Sequence, residues 1–278
     1  MYCVSLAEKF LLNAKGCRVV TLRSLRELNQ MRKAGIVVWE AHQLAARLVR
    51  PGVTTAELDF VIDEHFQKKN AKPLFKGVPG KTPFPAATCI SINDEVVHGI
   101  PGGRVLKEGD VVSIDTGAKV DGWCADSAYT HPVGAIAPEV QRLLDVTRDT
   151  LHLAIERMGK YKRWSEVATD MGNYVRKAGF FVVENFVGHG IGRDLHEDPQ
   201  VPNYATPQLK RSGDFWLEPG LVIAIEPMVN MGTKKVKGTS DHWTQVTQDG
   251  SPSAHFEHTV AMTDKGPWIL TAGPNDEL

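Results

Sequence analysis

One ten-residue phrase occurs twice in this chain. Leu106-Lys107-Glu108-Gly109-Asp110-Val111-Val112-Ser113-Ile114-Asp115 and Leu217-Glu218-Pro219-Gly220-Leu221-Val222-Ile223-Ala224-Ile225-Glu226 both run leucine, two residues, glycine, a β-rich stretch and a closing acid. A shorter echo joins Val97-His98-Gly99-Ile100 to Gly188-His189-Gly190-Ile191. The elements around them recur in the same order. Ser24 and Glu27 form a capping-box signature, and Met31, Ala34, Val38, Ala41, Ala45 and Leu48 follow at helical spacings of three and four. Pro51-Gly52 stops that helix. Thr54 with Glu57 repeats the signature, and Leu58, Val61, Ile62 and His65 continue a second helix. Residues 71–85 are rich in Pro, Gly and Lys and read as a loop. Strand-like runs follow at Ala87–Ile92 and Val111–Ile114. The second round opens with Pro138 at a first helical position and Val140, Leu144, Thr147, Leu151, Ala154 and Met158 at helical spacing. Ser165–Ala178 gives another helix, closed by Gly179, and strands are predicted at Phe180–Val187, Leu221–Ile225, Trp243–Val246 and Phe256–Ala261.

Halves of this length exceed the repeat unit of a solenoid. The expectation is therefore an α+β domain over 24–278, in which two pseudo-symmetric helix–helix–strand halves share an antiparallel sheet. Residues 1–23 read as a short N-terminal extension. A site between the halves would collect one acid from each.

Composition removes several function classes. The 278 residues are 42% hydrophobic and carry a net charge of −1, so no basic field invites nucleic acid. No apolar run approaches the roughly 20 residues that span a bilayer. The first residues lack the apolar stretch and cleavage site of a secretory signal. Cys3, Cys17, Cys89 and Cys124 form no C-x-x-C pair, which argues against a disulfide framework or zinc ribbon. Free thiols in a reducing cytoplasm are the expectation.

The acids carry the chemistry. Glu226 ends Leu221-Val222-Ile223-Ala224-Ile225, a strand apolar on both faces, and Pro227 ends regular pairing after it. A carboxylate buried there needs an arginine, a hydrogen-bond network or a metal. Asp115 closes its own strand in the same way. Asp126 lies 11 residues on, across the Asp121-Gly122 turn, so the two can converge in a hairpin. Glu257 sits in a strand whose neighbour Phe256 must face the other way. His189 is flanked by glycines that leave its ring uncrowded. His196 follows seven residues later, and His98 precedes Gly99-Ile100-Pro101. Each alone has a plainer reading: an ion pair, a solvated turn acid, an exposed glutamate, a loop histidine without a role. Taken together, four carboxylates in one cleft would repel by several kcal/mol or take up protons. Two divalent cations about 3.5–4 Å apart remove that penalty and form a hydrolytic engine. Oxygen-rich ligation with a single imidazole favours Mn, Fe or Co.

The segments Val97-His98-Gly99-Ile100-Pro101, Ser113-Ile114-Asp115-Thr116, Ala125-Asp126, Gly188-His189-Gly190-Ile191-Gly192, Leu195-His196-Glu197, Ala224-Ile225-Glu226-Pro227 and Phe256-Glu257-His258-Thr259 together resemble type I methionine aminopeptidases of the pita-bread fold. The resemblance runs over about residues 24–271. It implies two divalent ions held by Asp115, Asp126, His189, Glu226 and Glu257, with Asp126 and Glu257 bridging. It implies attack by a metal-bridging hydroxide with Glu226 accepting a proton, His98 contacting the scissile amide nitrogen and His196 stabilising the oxyanion. Trp243, Cys89 and Phe84 would line the pocket for the methionine side chain. The implied substrate is the N-terminus of a nascent polypeptide, with the ribosome as a further partner and a cytoplasmic monomer as the setting. Leu195, Gly80 and Lys81 stand where relatives often place aromatic residues. An X-Pro aminopeptidase or prolidase on the same fold is the nearest alternative, and a non-catalytic pita-bread binding protein is the alternative from a different class.

Overall fold

Both sequence-predicted capping boxes close, and each opens a helix of the first pair. In a computed structural model that describes residues 20–275, the Ser24 hydroxyl accepts from the Glu27 amide at 3.4 Å while the Glu27 carboxylate accepts from the Ser24 amide at 2.9 Å. Thr54 and Glu57 do the same at 3.2 and 2.7 Å. These boxes begin α1 (Leu25–Leu48) and α2 (Thr55–Lys68). The second pair is α3 (Pro138–Met158), with Pro138 in its first turn, and α4 (Trp164–Lys177). The first nineteen residues of the expected extension, with Cys3 and Cys17, lie outside the described residues. Cys89 and Cys124 are free and buried.

The strands, in chain order, are β1 (Lys72–Pro73), β2 (Thr88–Ile92), β3 (Glu95–Val97), β4 (Val111–Val120) and β5 (Trp123–Pro132). After the second helix pair come β6 (Phe181–Val182), β7 (Gly188–Gly190), β8 (Glu197–Val201), β9 (Val222–Ile225) and β10 (Met228–Asn230). The last are β11 (Val236–Gly238), β12 (Gln245–Thr247), β13 (Ser253–His255), β14 (Glu257–Thr263) and β15 (Gly266–Ile269). Among the described residues, nine of them make one sheet in the order β1-β4-β5-β14-β9-β7-β8, with β2 also on β4 and β15 on β14. Two three-stranded sheets, β13-β10-β6 and β11-β12-β3, flank it.

The duplication is legible in this order. The line between β5 and β14 divides the sheet, and β4 and β9, the two strands of the repeated phrase, stand one place out on either side. Each half keeps its own core. Val38, Ala41, Leu58, Ile62 and Phe66 of the first helix pair pack on Ile90, Ile92, Val112 and Ile114. Leu144, Leu151, Trp164, Val167 and Met171 of the second pack on Ile223, Ile225, Phe256 and Val260. Burying one such Leu or Ile contributes about 1.5–3 kcal/mol. Helices cover one face of the sheet, and the alternate residues of the same strands are directed to the other face.

Three strand predictions shift: the expected 111–114 run continues to Val120, paired with β5 throughout, so that Asp115 lies in mid-strand. Only Phe181–Val182 of the expected 180–187 run is paired, on β10. The exposed Glu184-Asn185 pair interrupts the apolar pattern there. The expected 243–246 strand begins two residues late because the Asp241 carboxylate accepts the Trp243 and Thr244 amides, each at 2.8 Å, and bends the chain into a turn.

Candidate metal centre

The β4–β5 hairpin turns at Asp121 (φ 50°) and Gly122 (φ 81°). Two successive left-handed residues make the turn whose twist suits antiparallel strands. It fixes a register with Asp115 opposite Ala128 and Gly117 opposite Asp126. Ala128 also stands opposite Glu257 of β14. On β14's other side His258 pairs Ile225, and the next step sets Glu226 beside Glu257. Gly190 pairs Ile223, which brings His189 level with Ala224, two residues before Glu226. Cys89 is opposite Asp115. Opposed residues share a face, as do residues two apart. One face therefore carries the row Cys89, Asp115, Ala128, Glu257, Glu226, with Asp126 and His189 beside it.

Side chains converge accordingly. Ligand atoms of Asp126, His189 and Glu257 all lie within 4.8 Å of one another. His189 Nε2 is 3.8 Å from Glu226 Oε1. Asp115 Oδ1, Asp126 Oδ1 and Glu257 Oε1 are buried and accept no hydrogen bond from the described residues. Among the described residues no lysine or arginine forms an ion pair with any of the four acids; the basic side chains within 4.0 Å of the Glu226 carboxylate are His189 and His255.

The electrostatics record the crowding. Burial, then the Asp126 and Glu226 carboxylates, push Asp115 well above the usual carboxylate range. Burial raises Asp126 to about 7, against a hydrogen bond from the Ser127 backbone. Glu226 rises through burial and Asp126, and Glu257 through burial, Asp126, Glu226 and Asp115. Burial, with neighbouring His196, lowers His189 to about 3, so its ring is neutral at physiological pH, with a nitrogen lone pair available to a metal. Carboxylates left unpaired and unbonded in a buried box are the donor set of a divalent cation. The residues present fit such an ion.

Three small or polar residues that pattern reading passed over shape the box. A Cβ at Gly117 would sit 3.0 Å from Asp126 Oδ1. Ala128, in mid-row, leaves the floor low. Thr259 Oγ1 accepts from the Asp126 amide at 2.9 Å and donates to its carbonyl at 2.8 Å, gripping that residue from both sides. The β5–β14 register, continued, would have revealed Thr259 opposite Asp126, but the sequence does not supply that register.

The other expected residues ring the box. His98 has φ 62°, strained for a non-glycine. Its ring meets Phe186 edge-on at 5.5 Å, and its buried Nδ1 has no partner. Burial, then His196, lowers its pKa to about 4. His196 stands at the rim, open to solvent, with its ring centroid 4.4 Å from that of His189. Phe84, Ala86, Cys89 and Trp243 form a separate apolar cluster, with Phe84 and Trp243 edge-to-face at 5.2 Å. The acids Asp115, Asp126 and Glu257 all bear on the Cys89 thiol and, after burial, raise its pKa, so this cluster adjoins the box. Lys81 bonds His242 at 2.8 Å, and Gly80 lies against the Trp243 ring. Leu195 packs elsewhere, on the cluster of Trp123 and Ile191. Arg23, just before α1, pairs with Glu197 at 2.6 Å. Glu197 in turn accepts the Arg193 and Asp194 amides, which ties down the loop bearing His196.

The model of metallopeptidase family M24 matches residues 29–264. The chain belongs to that family. It is 45% identical over 253 residues to methionine aminopeptidase 1 of Bacillus subtilis, covering 91% of this chain and 99% of that protein. It is 46% identical over 253 residues to the methionine aminopeptidase of Clostridium perfringens, with the same coverage. The crystal structure of the Thermotoga maritima methionine aminopeptidase superposes with a TM-score of 0.86 at 42% identity, over 91% of this chain and 99% of that one. The Pyrococcus furiosus prolidase shares the fold, with a TM-score of 0.69 at 18% identity over 91% of this chain and 66% of its own. The curled antiparallel sheet of this M24 metallopeptidase is thus the pita-bread fold, and its reaction is hydrolysis. No helix among the described residues is long and apolar enough to cross a membrane.

Proposed function

We propose that this chain removes the N-terminal methionine from nascent polypeptides, with two divalent cations held by Asp115, Asp126, His189, Glu226 and Glu257. The observation that carries this reading is the row of buried carboxylates, three of them with an unbonded oxygen and, among the described residues, none paired with a lysine or arginine. Two bound ions would acidify water and polarise the scissile carbonyl. Asp126 and Glu257 would be shared by the two ions, with Asp115 completing one site and His189 and Glu226 the other. Glu226 accepts the proton lost by the attacking water. His98, neutral and fixed by its backbone, contacts the scissile amide nitrogen. His196, at the rim, donates to the developing oxyanion, a role that preorganised donors fill at low reorganisation cost. The apolar cluster of Phe84, Cys89 and Trp243 takes the methionine side chain, whose thioether suits aromatic walls. Mn, Fe or Co fits the oxygen-rich donor set best. We assign the activity to a cytoplasmic monomer meeting chains as they leave the ribosome.

The test is cleavage of a Met-Ala-Ser peptide by protein reconstituted with Mn or Co, with metal content measured on the same sample. Two equivalents of metal and release of methionine are expected. Preference for an X-Pro peptide would move the chain to the prolidase branch, and metal uptake without turnover would make it a binding protein.

A further inference from the structure

His255 has no assigned role, yet it faces the same box. It lies two residues before Glu257, so both point to one side while Phe256 between them enters the opposite core. It is 2% exposed. Its Nε2 is buried without a hydrogen-bond partner among the described residues and stands 3.7 Å from Glu226 Oε2. The two oxygens of Glu226 are thereby divided: Oε1 faces His189 at 3.8 Å and Oε2 faces His255. The backbone of His255 is held as Asp126 is held. Thr130 Oγ1 accepts from the His255 amide and donates to its carbonyl, both at 2.8 Å, and Ser113 Oγ bonds the same hydroxyl at 2.8 Å. Continued beyond its paired positions, Glu257–Ala128 and His258–Ser127, the β5–β14 register sets His255 against Thr130 and Thr259 against Asp126. At both ends of the paired stretch a threonine hydroxyl replaces the main-chain ladder and fixes a residue of the box.

We propose that His255 is a positioning residue for Glu226, donating Nε2–H to Oε2 and so leaving Oε1 directed at the metal. An ionised carboxylate only accepts hydrogen bonds, and among the described residues no lysine or arginine pairs with Glu226. A bond of about 2.9 Å needs the gap to close by less than 1 Å, within reach of a small rotation of the Glu226 carboxylate. Hydrogen-bond partners that orient metal ligands are worth about 10–100-fold in metal affinity. This inference rests on the dimetal reading above.

The test compares His255→Gln, whose amide nitrogen reaches the Nε2 position, with His255→Asn, whose amide reaches only Nδ1. Mn binding to metal-free full-length protein is measured by titration calorimetry, beside the melting temperature of the metal-free form. The expected result is a Kd within about threefold of wild type for Gln and raised about tenfold or more for Asn, with equal melting temperatures. Equal binding by both variants, or equal loss in both, overturns the proposal. Should either variant fail to fold, the crystal structure of Mn-loaded wild type decides: Nε2–Oε2 at about 2.7–3.2 Å supports the bond, and a longer separation removes it. Wild type that binds no Mn would sink the metal reading itself; Mn binding that ignores position 255 would sink only this inference.

Discussion

Replacing Asp126 with Asn should stabilise the metal-free protein at alkaline pH and destroy its metal binding. Asp126 is 4% exposed, and burial raises its pKa from the ordinary 3.8 to about 7. A carboxyl raised in the folded state contributes its full stability below the unfolded value and loses it as pH climbs through the folded one. The contribution of Asp126 to the stability of the metal-free protein should therefore fall between roughly pH 4 and pH 8. The loss from this group amounts to about 4 kcal/mol. Asp115, Glu226 and Glu257 are raised in the same direction and add to the slope. At roughly 2–4 °C per kcal/mol for a domain of this size, Asp126→Asn should melt on the order of 10 °C above wild type at pH 8, and the two should nearly coincide at pH 4. Melts of EDTA-treated protein, followed by circular dichroism, measure this. Adding Mn at pH 8 should restore the wild type and leave the variant unchanged. A difference between variant and wild type that is the same at pH 4 and pH 8, or a variant less stable than wild type at pH 8, would refute the claim that unneutralised carboxylates strain this box.

Ala128→Leu places a branched side chain in the middle of the acid row and should abolish Mn binding, read by calorimetry, while the far-ultraviolet dichroism stays native. Arg23→Ala releases Glu197 and the loop bearing His196; kcat should fall about tenfold, equivalent to about 1.4 kcal/mol, with metal content unchanged, and Arg23→Lys should recover part of it in steady-state assays. His98→Ala should lower kcat about 100-fold or more while both metal equivalents remain bound, measured by turnover and metal analysis on one sample; loss of metal would move His98 into the ligand set.

The repeated phrase announced the duplication because each copy leads a buried β-rich run to an acid, Asp115 in mid β4 and Glu226 just past β9, and the topology sets those strands symmetrically about the β5–β14 line. The two capping boxes and Pro138 marked helix starts because capping is local, decided within four residues. The shortened strands at 181–182 and 245–247 were not legible. Their limits depend on Met228 and Val229 of β10 and on the Asp241 carboxylate, partners whose position no local pattern encodes.

Read alone, the sequence determined which groups the site would contain: four strand-borne acids and a glycine-flanked histidine, in an order that resembles one enzyme family. Their chemistry follows from residue type, and residue type is what a sequence states. Only the tertiary structure decided that Asp115, Asp126, Glu226 and Glu257 share a face, because that rests on strand register, and a one-residue slip would turn each strand's set to the other side. It alone brought in Gly117, Ala128, Thr259 and His255, which matter by the space they leave and the atoms they touch. The physical reason is that charge and bonding capacity belong to each residue, whereas repulsion, burial and neutralisation belong to distances between residues far apart in the chain.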